Sequence, residues 1–388
     1  MKALIVAEYY PRAGDPVGGV WTHRQTVATR DAGADVRVLV LHRPVPPLSA
    51  VRSADVGRAV AVVRQSRASQ LDGVSVDYVR YLSPPRAWSY SSWGAWAAPL
   101  LARAIRRVHR AFPFDVIHAH YAVPAGDAVR RAAGSAPLVV SVHGHDVQGV
   151  GAGGSAVATT LQHARLVLAN SAGTERRCAA LGAHDSRVVH LGADVPPTRA
   201  APLDRPTLVT VGHLAARKRH ADVISALALL CDRHPRLGYV IVGDGPERER
   251  LGAHAASLGV ADRIEFRGQL PNAEATAVAR SATLFVMPSV DEAFGVAYIE
   301  AMAGWVPAIG CRGEDGPEEI AAAGGGIELV PARDVRALAD RIDTLLSDRP
   351  ALVALGGVAR DTVEREFTWD RCGAQTVAAY EHVLGGRF

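Results

Sequence analysis

The feature that most restricts the fold of this chain is a regular alternation of short apolar runs with longer amphipathic segments. The runs fall at 3–7, 36–41, 116–118, 138–142 and 166–169, then at 207–211, 239–242, 264–266, 284–287 and 306–309. Short, continuously apolar runs suit strands covered on both faces, and the amphipathic stretches between them suit crossover helices. The rhythm therefore predicts βα units and parallel sheets. At 388 residues the chain is too long for one ordinary core. Between the two sets of runs lies Val195-Pro196-Pro197-Thr198-Arg199-Ala200-Ala201-Pro202, where prolines among small residues read as a linker. The expected organisation is α/β throughout: a Rossmann-like domain at 1–195, a linker at 196–206, a second Rossmann-like domain at 207–368, and a terminal helix at 369–388 packing back on the first domain. Doubly wound parallel sheets take ligands beyond the carboxyl ends of their strands, so the two domains are expected to face each other across a cleft.

Composition narrows the function classes. A formal charge of +4 is too mild to argue for nucleic acid, though it suits an anionic substrate. Lys2 and Lys218 are the only lysines, which makes the placement of Lys218 informative. Cys178, Cys231, Cys311 and Cys372 are far apart and lack metal-ligand spacing, as expected of free thiols in a reducing compartment. The first apolar run reaches Glu8 too soon for a signal peptide, and no stretch approaches the length of a membrane span. The expectation is a soluble cytoplasmic protein, with any membrane contact peripheral and at the inner face.

The densest chemistry lies at Asp291-Glu292-Ala293-Phe294-Gly295-Val296-Ala297-Tyr298-Ile299-Glu300, between an apolar run and a helical stretch. Amides at such a helix start can cradle a diphosphate, and carboxylates can grip sugar hydroxyls. Acidic residues that merely favour the helix dipole are the plainer reading. Val17-Gly18-Gly19-Val20 follows the first run and fits either a phosphate-approaching loop or an ordinary surface turn. His143-Gly144-His145-Asp146 follows the run at 138–142; two histidines without a third ligand make a poor zinc site. His118 and His120 end the run at 116–118 and suit either an acceptor-side or a structural hydrogen-bonding role. Trp88, Tyr90, Trp93, Trp96, Leu100, Leu101, Ile105 and Val108 form a stripe beside Arg103, Arg106, Arg107 and Arg110. A core-facing helix with solvated arginines is the commoner explanation, and an interfacial helix near a lipid-linked acceptor is the rival.

The spacing of Glu292 and Glu300, Glu-x7-Glu, resembles glycosyltransferase family 4, whose members are retaining enzymes with the GT-B fold. The resemblance covers essentially the whole chain. It includes Val211-Gly212-His213-Leu214-Ala215-Ala216-Arg217-Lys218, Ile241-Val242-Gly243-Asp244-Gly245-Pro246, Phe266-Arg267-Gly268-Gln269-Leu270, Glu300-Ala301-Met302-Ala303 and the stretch 313–320. The fold it implies is GT-B, with two doubly wound parallel-sheet domains. The activity it implies is retaining, metal-independent transfer of a hexosyl or hexosaminyl group from a nucleotide-diphosphate sugar, a UDP-sugar first, without a cofactor. The acceptor would be a hydroxyl of a polysaccharide precursor or a small natural product.

The resemblance also implies residue roles. Glu300 would hold the ribose, while Glu292 and the amides of Phe294, Gly295, Val296 and Ala297 would hold sugar and phosphate. Gly268, Gln269 and Leu270 would border the base, and Gly18 and Gly19 would approach the phosphates. Lys218 would neutralise the departing diphosphate, and His143 would contact the transferred sugar. The family usually has Arg where this chain has His213, so either Arg217 or Arg219 compensates or His213 makes a weaker contact. A catalytically silent binding partner, and an epimerase on the same scaffold, are the competing readings.

Overall fold

The computed structural model describes residues 1–46, 56–85, 89–134, 136–144, 146–148 and 155–385. The chain divides into two compact units: Met1–Leu191 with Trp369–Phe388, and Gly192–Thr368.

Unit 1 opens with β1 (Lys2–Ala7), α1 (Val20–Asp31), β2 (Asp35–His42), α2 (Val56–Arg64), β3 (Ala68–Leu71) and β4 (Val74–Arg80). It continues with α3 (Trp93–Ala111), β5 (Val116–His120), α4 (Asp127–Ala132), β6 (Leu138–Val142), α5 (Ala156–His163), β7 (Leu166–Ala169), α6 (Ala172–Ala180) and β8 (Ser186–Val188). The sheet order is β3-β4-β2-β1-β5-β6-β7-β8, parallel throughout except where β3 meets β4. The interior strands β1, β5, β6 and β7 are almost wholly buried, which is why they read as apolar runs. One core cluster runs from Leu4 and Leu39 through Leu101 and Ile105 of α3 to Val140 and Leu161.

Unit 2 contains β9 (Thr207–Val211), α7 (His220–Leu230), β10 (Gly238–Val242), α8 (Arg248–Ser257), β11 (Ile264–Phe266), α9 (Asn272–Arg280) and β12 (Leu284–Val286). These are followed by α10 (Val296–Met302), β13 (Ala308–Cys311), α11 (Asp315–Ala323), β14 (Ile327–Val330), α12 (Val335–Ser347) and α13 (Arg349–Glu366). The order β11-β10-β9-β12-β13-β14, all parallel, is that of the Rossmann sheet. The run expected at 306–309 becomes a strand only from Ala308, because Pro307 has no amide to give the ladder. α14 (Trp369–Val383) then returns to unit 1 and packs on α1, burying Trp369, Cys372, Gly373, Thr376, Ala379 and Tyr380. A side chain at Gly373 would lie 2.1 Å from the Ala28 carbonyl oxygen, so the two helices approach at backbone distance.

The segment expected as a linker at 196–206 is held on unit 2. Arg199 donates to the Trp305 carbonyl (2.9 Å) and the Leu203 amide to the Ser281 carbonyl (3.0 Å). The boundary between units consequently falls at Leu191 and Gly192, earlier than the prolines suggest. All four cysteines are free. Among the described residues, no helix is long and apolar enough to cross a membrane.

Candidate functional site

In each sheet the strand order reverses once, and loops leaving that point on the carboxyl side frame a crevice. In unit 2 the reversal lies between β9 and β12, whose loops carry Lys218 and Glu292. The loop after β9 passes through Gly212 and His213 into a short turn at Ala216–Lys218. The Val290 amide, on the loop after β12, donates to the Arg217 carbonyl at 2.8 Å and ties the two loops together.

Glu292 is buried at the centre. Its Oε2 receives Lys218 Nζ at 2.5 Å and Ser289 Oγ at 2.9 Å, with Arg217 Nη1 at 3.7 Å. Its amide donates to Glu314 Oε2 at 2.8 Å. Burial alone would raise the Glu292 pKa, but the Lys218 and Arg217 charges and the Ser289 hydroxyl bring it below the ordinary glutamate value. Glu292 is therefore ionised at neutral pH. Lys218 and Arg217 thus both face the Glu292 carboxylate, and a charge-assisted contact to a diphosphate would come from these two cations.

Beside this pair α10 begins at Gly295, whose backbone is left-handed (φ 85°), and no side chain caps the helix start. A Cβ there would lie 2.5 Å from the Tyr298 ring, so the turn needs glycine. Val296 and Ala297 open the helix. The Phe294 ring is buried, 5.6 Å from that of Phe367, so any ligand contact by this residue falls to its backbone. Further along α10, Glu300 Oε1 accepts from Asn272 Nδ2 (3.1 Å) and Thr276 Oγ1 (3.4 Å), both on α9. Burial pushes Glu300 up to about 7, against the pull of Asn272, Arg280 and Thr276, so it stands between acid and carboxylate at neutral pH.

The loops after β10 and β11 close around the same edge. The Gly243 amide donates to the Gly268 carbonyl at 2.7 Å, and the Leu214 amide to the Asp244 carbonyl at 3.0 Å. Gly268 is left-handed (φ 66°), Gln269 is exposed and Leu270 half-buried. His213 is exposed, and a Cβ at Gly245 would come within 2.9 Å of its Cε1. Of the two arginines considered as substitutes at this position, Arg217 reaches Glu292. Arg219 is bound to Asp222 at 2.7 and 2.8 Å and braces the start of α7.

In unit 1 the reversal lies between β1 and β5. The loop after β1 folds on itself, the Gly18 amide donating to Asp15 Oδ1 at 2.8 Å. Gly19 (φ 79°) starts α1 without a side-chain cap, and a Cβ there would lie 2.1 Å from the Tyr9 carbonyl carbon. At the ends of β5 and β6 stand three histidines. His118 is held between Tyr380 Oη (2.7 Å, to Nδ1) and Ser141 Oγ (2.8 Å, to Nε2). His120 Nδ1 lies 3.2 Å from His143 Nε2, the rings meeting edge to edge with centroids 5.5 Å apart and planes 15° from parallel. Asp146 accepts from the amides of Ala122 (3.1 Å) and His143 (3.2 Å), fixing the loop; burial raises its pKa to about 6. Burial also lowers His118 to about 3 and His143 to about 4, and holds His120 well below its ordinary value, so all three are neutral at pH 7. His145 lies outside the described residues.

The stripe at the start of α3 is mostly core. Trp93, Leu101, Ile105 and Val108 are buried, while Trp96, Leu100 and the four arginines are exposed; Trp88 lies outside the described residues. Motif reading missed Asn272, Thr276, Ser289 and Glu314 in unit 2, and Ser141 and Tyr380 in unit 1. Ser289 lies three residues before Glu292, Ser141 two before His143, and Glu314 within the stretch 313–320 that carries the resemblance; Asn272, Thr276 and Tyr380 are brought in from distant sequence with no local signal.

Comparison with known proteins identifies the family and the fold. Residues 17–196 match the family described as Glycosyltransferase Family 4, and residues 195–362 match Glycosyl transferases group 1. The chain is 30% identical to a 2-deoxystreptamine glucosyltransferase of Streptomyces kanamyceticus over 326 residues, 75% of this chain and 83% of the relative. It is 34% identical over 179 residues to a GDP-mannose-dependent alpha-(1-6)-phosphatidylinositol monomannoside mannosyltransferase of Mycobacterium tuberculosis, a match spanning 44% of this chain and 46% of that relative. Among solved structures, sucrose-phosphate synthase from Thermosynechococcus elongatus superposes with a TM-score of 0.80 over 100% of both chains at 19% identity. Anabaena HepE in complex with UDP-glucose superposes at 0.71, over 98% of this chain and 99% of that one, also at 19% identity. The two Rossmann-like sheets and the ordered family matches together establish that this chain belongs to glycosyltransferase family 4 and has the GT-B fold.

Proposed function

We propose that this chain transfers a hexosyl-type group from a nucleoside-diphosphate sugar to an acceptor hydroxyl, with retention and without a metal ion. The observation that carries the reading is the Lys218–Glu292 pair beside the uncapped start of α10. In this assignment Lys218 and Arg217 offset the charge that accumulates on the departing diphosphate. Glu292 and the amides of residues 294–297 hold sugar and phosphate, Glu300 takes the ribose hydroxyls, and Gly268, Gln269 and Leu270 border the base. His143, neutral and hydrogen-bonded, is assigned to the transferred sugar. The bond from the anomeric carbon to the phosphate oxygen breaks as the acceptor oxygen bonds on the same face. The acceptor's proton passes to the departing phosphate.

UDP is the first nucleotide to test, with GDP and ADP as its rivals. The names of two relatives share one acceptor chemistry, since inositol and 2-deoxystreptamine are both cyclitols. A cyclitol-bearing acceptor is therefore the class to try first, free or on a lipid. A lipid-borne acceptor would give the exposed Trp96, Leu100 and neighbouring arginines a peripheral role at a membrane surface.

Thermal unfolding with UDP, GDP and ADP in EDTA, for wild type and Glu300→Ala, tests the donor site. A nucleotide at 100 times its Kd should stabilise the wild type by about 2.7 kcal/mol. Loss of that shift in the variant supports the site; an equal shift in both, or none in either, sinks it. Turnover that survives EDTA and yields an axial or equatorial product matching the donor's configuration supports the mechanism. Nucleotide binding without turnover on any acceptor would favour the silent binding partner.

A further inference from the structure

His120 is fully buried, and its Nε2 has no hydrogen-bond partner among the described residues. Its Nδ1 lies 3.2 Å from His143 Nε2, so the two rings share a single proton along that line. Two arrangements exist. If His143 donates, His120 must carry its own proton on Nε2, leaving an orphaned N–H in the core. If His120 donates, its buried Nε2 presents only a lone pair. Orphaned buried donors are the rarer and more costly defect. Neighbouring groups impose no opposite choice, because His118 is bracketed by two hydroxyls, Tyr380 and Ser141, either of which can donate or accept.

We infer that His120 is a positioning residue that donates from Nδ1 to His143 Nε2 and so fixes His143 as the tautomer protonated at Nδ1. His143 Nε2 is thereby occupied as an acceptor, and Nδ1–H is the one donor its ring can offer a ligand. The two rings meet edge to edge, 15° from parallel, and this fixes the plane in which that donor lies. Tyr121 closes against the other side of His143, with ring centroids 4.7 Å apart. The consequence for turnover rests on the assignment of His143 to the transferred sugar; the tautomer itself does not.

Long-range proton–nitrogen correlation spectra of 15N-histidine-labelled full-length protein, assigned with His143→Gln, report the protonated nitrogen directly. The expected result is a pyrrole-like Nδ1 and a pyridine-like Nε2 on His143 in the wild type. His120→Asn places an amide donor where Nδ1 stood and should preserve that pattern. His120→Phe should release His143 to the Nε2–H form. Observing Nε2–H on wild-type His143 would overturn the inference whether or not the variants fold. In kinetics, His120→Phe should lower kcat roughly 10- to 100-fold, the range seen when an orienting partner is lost, while nucleotide affinity is unchanged and His120→Asn recovers most of the rate. Equal losses in both variants would reduce His120 to a packing role. Absence of nucleotide binding in the wild type would instead strike the proposed function and leave the tautomer result standing.

Discussion

At both points of strand-order reversal a left-handed glycine starts the helix after a strand, Gly19 (φ 79°) in unit 1 and Gly295 (φ 85°) in unit 2, and no side chain caps either helix. What surrounds the two differs. Beside Gly295 stand a buried ion pair, a second cation and a carboxylate raised to about 7. In unit 1 the reversal point carries three histidines kept neutral by burial and linked through hydroxyls and one another. One backbone device thus stands beside two chemistries: fixed charge in unit 2, and neutral donors and acceptors in unit 1.

The hardest blow to that contrast is removal of the charge. Lys218→Met leaves Glu292 buried and unpaired by its main partner, and should destabilise the protein by about 3–5 kcal/mol in chemical denaturation. Turnover should fall on the order of 10²- to 10³-fold. Adding Glu292→Leu should restore most of the stability and none of the turnover; restored turnover would show the pair to be structural only.

Glu300→Gln sharpens the contrast through pH. The folded-state pKa of Glu300 is raised to about 7 from 4.5, so its contribution is full below about 4.5 and is lost as pH rises through about 7. The variant should match wild type near pH 4 and exceed it by at most about 3 kcal/mol at pH 8. A difference that stays flat with pH would mean that Glu300 is not held protonated by its surroundings.

The shared backbone device is tested by Gly19→Ala and Gly295→Ala. Each should cost about 1–3 kcal/mol, with Gly19 the larger. Its Cβ would meet the Tyr9 backbone, whereas that of Gly295 meets a ring that can turn. The smallest effect belongs to the neutral network: Tyr380→Phe removes a partner of His118 and should cost about 1–2 kcal/mol. Because His118 is already neutral above about 3, this loss should be constant from pH 5 to 9. A pH-dependent loss would erase the distinction between the two regions.

How much of this could be read beforehand follows the range of the interactions. The central strands were legible because both their faces are buried. The β3–β4 hairpin was missed although Val74-Ser75-Val76-Asp77-Tyr78 alternates after an Asp72-Gly73 turn, a signal of period two that a search for apolar runs passes over. β8 and β14 are edge strands, too short and too little buried to stand out. Lys218, Glu292 and Glu300 sit in contiguous motifs, but several hydrogen-bond partners within the two clusters come from far along the chain. Asn272 lies 28 residues from Glu300, Glu314 lies 22 from Glu292, and Tyr380 lies 262 from His118. Local pattern names Lys218, Glu292 and Glu300, and only the folded chain shows which partners reach them and how deeply they are buried.

The return of α14 to unit 1 has a consequence for biogenesis. A ribosome makes the whole of unit 2 before it makes the helix that covers α1 and brings Tyr380 to His118. The domain begun first is therefore the one finished last, and its histidine cluster stays incomplete until that helix has been made.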